Sequence, residues 1–328
     1  MTRFTRRQAL ALSLSAATLV AIPAFAQEAA FPSRPIRIIV PFSAGGVVDS
    51  TARIVAEKLG AKYGQPVIVE NKTGAGGAIG TEFVAKSAPD GYTLLAVSPS
   101  HAVLPSVVKN LNWNPVRDFR AIQGIGTIPN LFVVLPSVPV KTMSELLALA
   151  QKSSEPLSYA TAGVGTSNHL SGELLAQMAG VKFTHVPYRG QSDAMNDLLG
   201  GRVTMMPLTA AIAGPYVKTG KLRALAVTTA KRSTSFPDLP TVAEAAKLPG
   251  YEVGTWFGLV APTKLPDAVV RKLSADVAEI LAMPDVTAKF ATLGMEMAPQ
   301  NPAEFDAFVA AEASRWNQVL KQAGVEPQ

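Results

Sequence analysis

The feature that most constrains the fold of this chain is a unit in which an apolar segment, a glycine-rich loop and a helical segment follow one another. Residues 36–40 form a mostly apolar run typical of a buried strand, and residues 50–59 have helical spacing. Residues 67–70 and 78–86 repeat this pair, and 92–97 begin a third unit. Alternation of this kind predicts an α/β fold with mostly parallel sheets flanked by helices.

The alternation continues through the rest of the chain and suggests two lobes. Further strands are predicted at 131–135, 157–161, 203–206 and 222–228, and helices at 144–152, 168–179, 192–199, 266–281 and 302–323. Residues 125–130 and 228–236 follow apolar runs and lead into proline-containing turns, which favours them as crossovers. They divide the chain into a discontinuous lobe 1 (27–128 and 230–328) and a continuous lobe 2 (129–229). A hinged cleft between two lobes is a usual place for a small ligand.

The first 26 residues have the pattern of an export signal. Three arginines precede a mostly apolar run at 9–22, and the small-x-small motif at 24–26 predicts cleavage before Gln27. The apolar run is shorter than the roughly 20 residues that span a bilayer. Residues 5–10 also resemble a twin-arginine signal, and an ordinary secretory signal fits equally well. Both routes predict a periplasmic protein.

Composition excludes several classes of function. The net charge is +6, but three arginines and no acidic residue lie in the signal, so the mature chain is near +3 and has no nucleic-acid stripe. The absence of cysteine excludes thiol chemistry and disulfides. The three histidines, His101, His169 and His185, lack metal-ligand spacing, and no HExxH, GxSxG or Walker motif occurs. We therefore expect no metal, no cofactor and no catalysis.

The loop at residues 40–49 (VPFSAGGVVD) joins a predicted strand to a predicted helix. Gly45 and Gly46 allow a ligand to approach the backbone closely. The helix that follows points its unpaired N–H groups and the positive end of its dipole at the loop, which favours an anion. The alternative is a tight turn capped by Asp49. Because a carboxylate repels an anionic ligand, we expect Asp49 to cap the helix or to order a water.

A second loop of the same kind lies at residues 162–168 (AGVGTSN), in predicted lobe 2. Thr166 and Ser167 offer hydroxyl groups, and the alternative role is N-capping by Ser167 or Asn168. One such loop in each lobe predicts a site that holds the two carboxylates of a dicarboxylate. A third glycine loop, residues 70–80, lacks dinucleotide-binding spacing because Ile79 stands where the last glycine belongs, so it is interpreted as a structural turn.

Nine segments together resemble one family, the Bug-type extracytoplasmic solute receptors of tripartite tricarboxylate transporters. They occur in order over essentially the whole mature chain. The segments are FPSRPIRIIVPF (31–42), VENKTGAGGAIG (69–80), APDGYTLL (88–95), GTSNHLSGELL (165–175), HVPYRG (185–190), DLLGGRV (197–203), GKLRALAVT (220–228), PDLPTVAEA (237–245) and WFGLVAP (256–262).

The resemblance implies a two-lobed periplasmic binding-protein fold that binds a small carboxylate and has no enzymatic activity. In relatives the carboxylate lies on the loops that correspond to residues 42–49 and 163–169, with bridging waters. The partners would be the two integral membrane components of the transporter, and the receptor itself is expected to be a monomer. The predicted ligand-binding residues are Phe42, Ser43, Ala44, Gly45, Gly46, Val47, Asp49, Ser98, His101, Gly163, Val164, Gly165, Thr166, Ser167, His169, Tyr188 and Leu208.

Three apolar residues depart from the family pattern. Val47 stands where relatives often have glycine, serine or threonine, Leu104 where asparagine is common, and Leu208 where many have aspartate. If these side chains line the cleft, a ligand ammonium lacks a partner. This predicts a dicarboxylate or aromatic carboxylate without an amino group; the alternative is that all three pack in the core.

Two other functions stay open at this point. A periplasmic sensor would present its liganded form to a signalling protein. A periplasmic hydrolase would need Ser167, His169 and Asp49 to assemble in space.

Overall fold

The computed structural model describes residues 31–188 and 190–327, so the predicted signal at residues 1–26 lies outside the described residues. In the described part, no helix is long and apolar enough to cross a membrane. From Arg34 onward the described chain belongs to one unit.

The first part of the chain consists of strand–helix units, as predicted. Its strands pair in parallel, with Ile38 of the first strand opposite Val69 of the second and Leu94 of the third. The elements are β1 (Ile36–Val40), α1 (Val47–Tyr63), β2 (Val67–Asn71), a 3₁₀ turn (Ala75–Gly77), α2 (Ala78–Ala85), β3 (Thr93–Val97) and α3 (Pro99–Val107).

The middle of the chain begins with one long strand and continues with a second set of strand–helix units. Tyr159 lies opposite His185 and Met205 in two parallel pairings. The elements are β4 (Phe119–Val134), α4 (Met143–Lys152), β5 (Leu157–Thr161), α5 (Ser167–Ala179), β6 (Phe183–Pro187), α6 (Gln191–Leu199), β7 (Met205–Thr209), α7 (Ala210–Lys218), β8 (Arg223–Val227) and α8 (Val242–Ala245). The chain then adds β9 (Gly254–Pro262), α9 (Asp267–Leu281), α10 (Pro284–Thr292), β10 (Glu296–Gln300) and α11 (Pro302–Gln322).

The strands join in the order β2-β1-β3-β9-β4-β7-β5-β6, and β8 and β10 also pair with β4. The α/β class is confirmed, but the expectation of mostly parallel sheets needs correction. Of the pairings between described strands, four are parallel and five are antiparallel, and every antiparallel pair includes β4 or β9. The strand–helix alternation predicts parallel neighbours only within each unit, and β4 and β9 lie between the two sets of units.

Strand β4 belongs to both sets. Its first part pairs with β9 as far as Pro129, and from Asn130 it pairs with β7 and β8. The segment 125–130, which was predicted to lead into a turn, is therefore continuous strand. One hydrophobic cluster includes Phe132 of β4 and Trp316 of α11, and a second includes Leu131 of β4 and residues of β7 and β8.

Candidate functional site

Loop 1, defined as residues 41–46, connects β1 to α1. Gly45 has a left-handed backbone with φ of 81°, which few residues other than glycine adopt. Gly46 is the N-cap residue, with φ of −76° and ψ of 170°, and no side chain caps the helix there. Residues 43–46 are exposed. The first N–H groups of α1 therefore face an accessible loop without a side-chain acceptor from the N-cap.

Asp49 fixes the conformation of loop 1 through hydrogen bonds. Its buried carboxylate accepts the Gly45 N–H at 2.9 Å, Arg53 Nε at 2.9 Å and Asn71 Nδ2 at 2.9 Å. Asn71 Nδ2 also donates to the carbonyl oxygen of Phe42 at 2.9 Å. Burial raises the pKa of Asp49, but the hydrogen bonds from Arg53, Gly45 and Asn71 outweigh burial and lower the pKa to about 2. The carboxylate is ionised, and its charge is paired with Arg53.

Loop 2, defined as residues 162–166, connects β5 to α5. Gly163 and Gly165 have φ of 127° and 79°. Thr166 is the N-cap residue: its Oγ1 accepts the His169 N–H at 3.4 Å and donates to the Gly163 carbonyl at 2.7 Å. The capping role predicted for Ser167 or Asn168 thus belongs to Thr166. Both predicted caps lie inside the helix, because it begins at Ser167.

The two loops have the same local conformation. Each has a left-handed glycine two residues before its helix, with φ of 81° at Gly45 and 79° at Gly165. Each N-cap residue is extended, with φ of −76° in loop 1 and −77° in loop 2. In each, the third helical residue accepts the N–H of that glycine: Asp49 in loop 1, and His169 Nδ1 at 3.2 Å in loop 2. The two loops that the sequence predicts to bind an anion therefore share one backbone arrangement.

An aromatic stack lies next to loop 2, with Tyr159 and His169 buried and His185 half-buried. The His169 and His185 rings are stacked with centroids 4.2 Å apart, and Tyr159 stacks on His185 at 5.0 Å. His185 Nε2 is 2.7 Å from Thr161 Oγ1. Burial lowers the pKa of His169 to about 3, with a further contribution from repulsion by His185, and burial lowers the pKa of His185 to about 4. Both rings are neutral near pH 7.

Helix α3 touches both loop regions. A Cβ atom at Gly165 of loop 2 would lie 3.5 Å from Val103 Cγ1. A Cβ at Gly76 would lie 3.3 Å from Leu104 Cδ2, and one at Gly77 would lie 3.4 Å from Phe42 Cζ of loop 1. The 3₁₀ turn thus packs between α3 and Phe42. Loop 2 contacts α3 directly, and loop 1 approaches it through this turn.

Several predicted site residues lie beside the loops. Phe42 and Val47 are half-buried at the two ends of loop 1, and Val164 of loop 2 is 39% exposed. Ser98 is the buried N-cap of α3, and its hydroxyl is 3.3 Å from that of Ser100.

Tyr188 follows β6 on the side of loop 2. Its hydroxyl donates to Asp197 at 2.6 Å, and its carbonyl oxygen lies 3.3 Å from where a Cβ of Gly163 would stand. Tyr188 thus contributes its backbone to the surroundings of loop 2, while its hydroxyl is already engaged.

Other predicted residues are packed in the core. The ring of His101 is buried against Trp113 and Phe119, with centroids 5.6 and 4.8 Å away. Leu208 is fully buried in the cluster that contains Leu131. Leu104 is also buried. The physical reason is that β7 is buried along its whole length and α3 at most of its residues, which a single sequence does not reveal. The burial of Leu104 and Leu208 agrees with the alternative in which these side chains pack in the core.

The structure also identifies supporting residues that the sequence did not assign to the site. Asn71, Thr161 and His185 lie at or near the carboxyl ends of β2, β5 and β6, where polar side chains in parallel sheets meet loops. Asn130 is fully buried beside Asn168 and Thr209, and its Nδ2 has no hydrogen-bond partner among the described residues. A polar residue within the apolar run of β4 was the available signal.

The residues of the hydrolase alternative do not form a catalytic set. Ser167 Oγ shares a 2.6 Å hydrogen bond with Thr255 Oγ1, at the start of β9. His169 Nδ1 accepts the Gly165 N–H, and Asp49 is paired with Arg53. Each group is thus engaged with a partner outside the set. Within the described chain, no group of three or more His, Asp or Glu residues could hold a metal ion.

Comparison with known proteins identifies the family to which the chain belongs. Residues 51–325 match the family described as the tripartite tricarboxylate transporter family receptor, TctC. A relative from Pseudomonas sp. (strain P51), the UPF0065 protein in the tcbD-tcbE intergenic region, is 40% identical over 291 residues, which is 89% of this chain and 87% of that protein.

Solved structures of similar proteins show the same fold. Rpa4515 of R. palustris, solved with adipate, is 36% identical with a TM-score of 0.81, covering 91% of this chain and 100% of that one. The periplasmic binding protein BugD is 38% identical with a TM-score of 0.78, with coverages of 91% and 100%. MatC of Rhodopseudomonas palustris, with bound malate, is 34% identical with a TM-score of 0.76, with coverages of 88% and 100%.

Proposed function

This chain belongs to the tripartite tricarboxylate transporter family of solute-binding receptors, and on that premise we propose that it captures a small dicarboxylate between loop 1 and loop 2. Members of this family are receptors rather than enzymes. The observation that carries the proposal is the shared conformation of the two loops, in which a left-handed glycine precedes an extended N-cap residue at the start of each helix. Two such cradles match the two ends of a dicarboxylate.

We also propose that the ligand has no amino group. This proposal does not rest on Leu104 and Leu208, which are buried. A ligand ammonium needs a free carboxylate. Two carboxylates lie in the networks behind the loops: Asp49 is paired with Arg53, and Glu173 accepts the Tyr159 hydroxyl. Rpa4515 and MatC, with adipate and malate, are solved with dicarboxylates that lack an amino group. An amine-free dicarboxylate is therefore the favoured ligand.

We further propose that capture involves closure of two lobes, residues 27–128 with 230–328 and residues 129–229. The change of partners along β4 between Pro129 and Asn130 supports this division. The receptor would act in the periplasm and pass its ligand to the two membrane components of the transporter. Uptake of the ligand by vesicles that contain those components should depend on added receptor.

Thermal unfolding of residues 27–328 with a panel of acids tests the ligand class. The panel contains succinate, malate, adipate, citrate, glutamate, benzoate and nicotinate. A ligand at 100 times its dissociation constant stabilises the folded chain by about 2.7 kcal/mol, which raises the midpoint by several degrees. A shift with malate or adipate is expected. A preference for glutamate would overturn the amine-free assignment, and no shift with any acid would overturn carboxylate capture.

A matched pair of variants tests the position of the site. Ala44→Asp adds a negative charge to exposed loop 1, and Ala61→Asp adds the same charge near the other end of α1, also at an exposed position. Only Ala44→Asp should abolish the ligand-induced shift, because like charges repel at short range. Equal binding by both variants would place the ligand elsewhere.

A further inference from the structure

The two histidines next to loop 2 hold its backbone through hydrogen bonds, one directly and one through a threonine hydroxyl. The Gly165 N–H donates to His169 Nδ1 at 3.2 Å. The Gly163 N–H donates to Thr161 Oγ1 at 3.1 Å, and that hydroxyl is 2.7 Å from His185 Nε2. Both glycines have positive φ. The Gly165 N–H points at a histidine ring, and the Gly163 N–H points at a threonine hydroxyl that contacts the other histidine.

We propose that His169 and His185 are positioning residues: they form an uncharged stacked pair that fixes the ligand-binding conformation of loop 2 without contacting the ligand. This rests on the proposed function for the identity of the bound molecule, but the arrangement of the pair does not depend on it. The role differs from the direct ligand contact that the sequence predicts for His169. His169 is buried, and its Nδ1 is occupied by the loop backbone.

The hydrogen bonds determine the protonation of His169. A ring nitrogen accepts an N–H only when it carries no proton, so Nδ1 is bare and the proton of the neutral ring is on Nε2. Nε2 is 3.6 Å from Glu173 Oε1, which also accepts the Tyr159 hydroxyl. Protonation of Nδ1 would turn an acceptor into a donor that faces the Gly165 N–H.

The surroundings of the pair favour the neutral form. Besides each other, the two histidines face two titratable groups, Glu173 of α5 and Tyr159 of β5. Tyr251, which precedes β9, lies next to Tyr159. Burial lowers the pKa of both histidines, raises that of Glu173, and raises those of the two tyrosines. Stacked cationic rings 4.2 Å apart would also repel each other.

The comparison with loop 1 explains why a neutral acceptor is used. Asp49 performs the same task in loop 1 as an anion, because Arg53 balances its charge. His169 performs it in loop 2 without a charge. Loop 2 therefore gains a backbone acceptor without placing an unbalanced negative charge behind a site for an anion.

Two substitutions separate positioning from packing. The amide oxygen of His169→Asn lies near the place of Nδ1, whereas that of His169→Gln reaches the place of Nε2. Both lose the ring stack, so both should lower the unfolding midpoint, His169→Gln by more because it also leaves the buried Gly165 N–H without an acceptor. Only the Asn variant keeps an acceptor for the Gly165 N–H.

Nuclear magnetic resonance of the ligand-free protein gives the first readout. At pH 6 the ring nitrogens of His169 in the native chain should show a neutral ring with its proton on Nε2, although an ordinary histidine is largely protonated there. The Gly163 and Gly165 amide resonances should move in both variants, because both lose the imidazole ring, but clearly further in His169→Gln, which also loses the acceptor. A charged ring, or equal movement in both variants, would overturn the proposal.

Calorimetric titration with adipate and malate gives the second readout. Affinity should fall by about tenfold in His169→Gln, because a buried N–H loses its acceptor, and by no more than about threefold in His169→Asn. Equal losses in the two variants would refute positioning. If the native protein binds neither acid, the proposed ligand class fails, and the resonances of the ligand-free protein alone decide the role of the pair.

Discussion

Replacing Asp49 by asparagine tests how loop 1 is held. The side chain of Asp49 is 3% exposed, and its two oxygens accept hydrogen bonds from Gly45, Arg53 and Asn71. Asparagine has the same shape but no charge, and it exchanges one acceptor oxygen for a donor NH₂. That NH₂ group faces donors already in place. We therefore expect Asp49→Asn to be less stable than the native chain while it retains the same fold.

The size of the effect follows from the pKa. The pKa of Asp49 is about 2 in the folded chain, against an ordinary value of 3.8. At 1.36 kcal/mol for each tenfold change in proton affinity, the ionised form contributes about 2 kcal/mol to folding. Because folding lowers this pKa, the contribution is complete above about pH 4 and is lost as the pH falls through about 2. It falls to roughly half by pH 3.

Thermal unfolding without ligand measures this contribution. For a chain of this size, about 2 kcal/mol corresponds to a midpoint roughly 4 °C lower at pH 7. Asp285→Asn is the control, because Asp285 pairs with Lys58 at the surface and its side chain is 54% exposed; no measurable shift is expected there. Equal midpoints for Asp49→Asn and the native chain at pH 7, or a difference that stays undiminished at pH 3, would refute the reasoning.

Three further substitutions have distinct expected outcomes. Gly172→Ala places a Cβ 2.2 Å from the buried ring of Tyr159 and should destabilise the chain by about 2–3 kcal/mol in thermal unfolding, although Ala normally favours a helix. Gly46→Ala has no atom closer than 3.5 Å and φ of −76°, so it should leave the midpoint unchanged but weaken dicarboxylate binding in calorimetry. Ser167→Ala should cost about 1 kcal/mol, because Thr255 loses a hydroxyl partner, and should leave esterase activity at background.

The parts of the fold that follow local rules were predictable. The strand at Ile36–Val40, the two glycines of loop 1 and the helix that follows are adjacent in sequence, so strand, turn and helix signals act together. The same holds for β5, loop 2 and α5. The conformation of both loops depends on glycine and on the third helical residue, which lies only four positions away.

Elements that break local rules were missed or shortened. The strand predicted at residues 131–135 in fact begins at Phe119. Its first part was missed because Gly124 and Gly126 weaken the strand signal there. Their role is close approach: a Cβ at Gly126 would lie 2.6 Å from the Glu296 carbonyl oxygen. Helix α3 was missed because it contains two prolines, one of them at the first helical position, where no N–H is needed.

Contacts between distant elements lay beyond the sequence. His169 and His185 stack only because α5 packs against the end of β6, and β6 was not predicted. Similarly, Leu208 is buried because all of β7 is buried. A strand covered on both faces shows no apolar–polar alternation in its sequence, so its burial could not be predicted from that pattern.

The two loops share a backbone but not an equal capacity for an anion. In loop 1 the N-cap is glycine, so the N–H groups of Val47, Val48 and Asp49 have no side-chain cap in the described structure. In loop 2 the Thr166 hydroxyl already accepts the third N–H, that of His169. Each hydrogen bond to a carboxylate contributes about 1.5–3 kcal/mol. Loop 1 therefore offers one more donor, and an acid with a single carboxylate should bind at loop 1 first and leave loop 2 for the second carboxylate of a longer ligand.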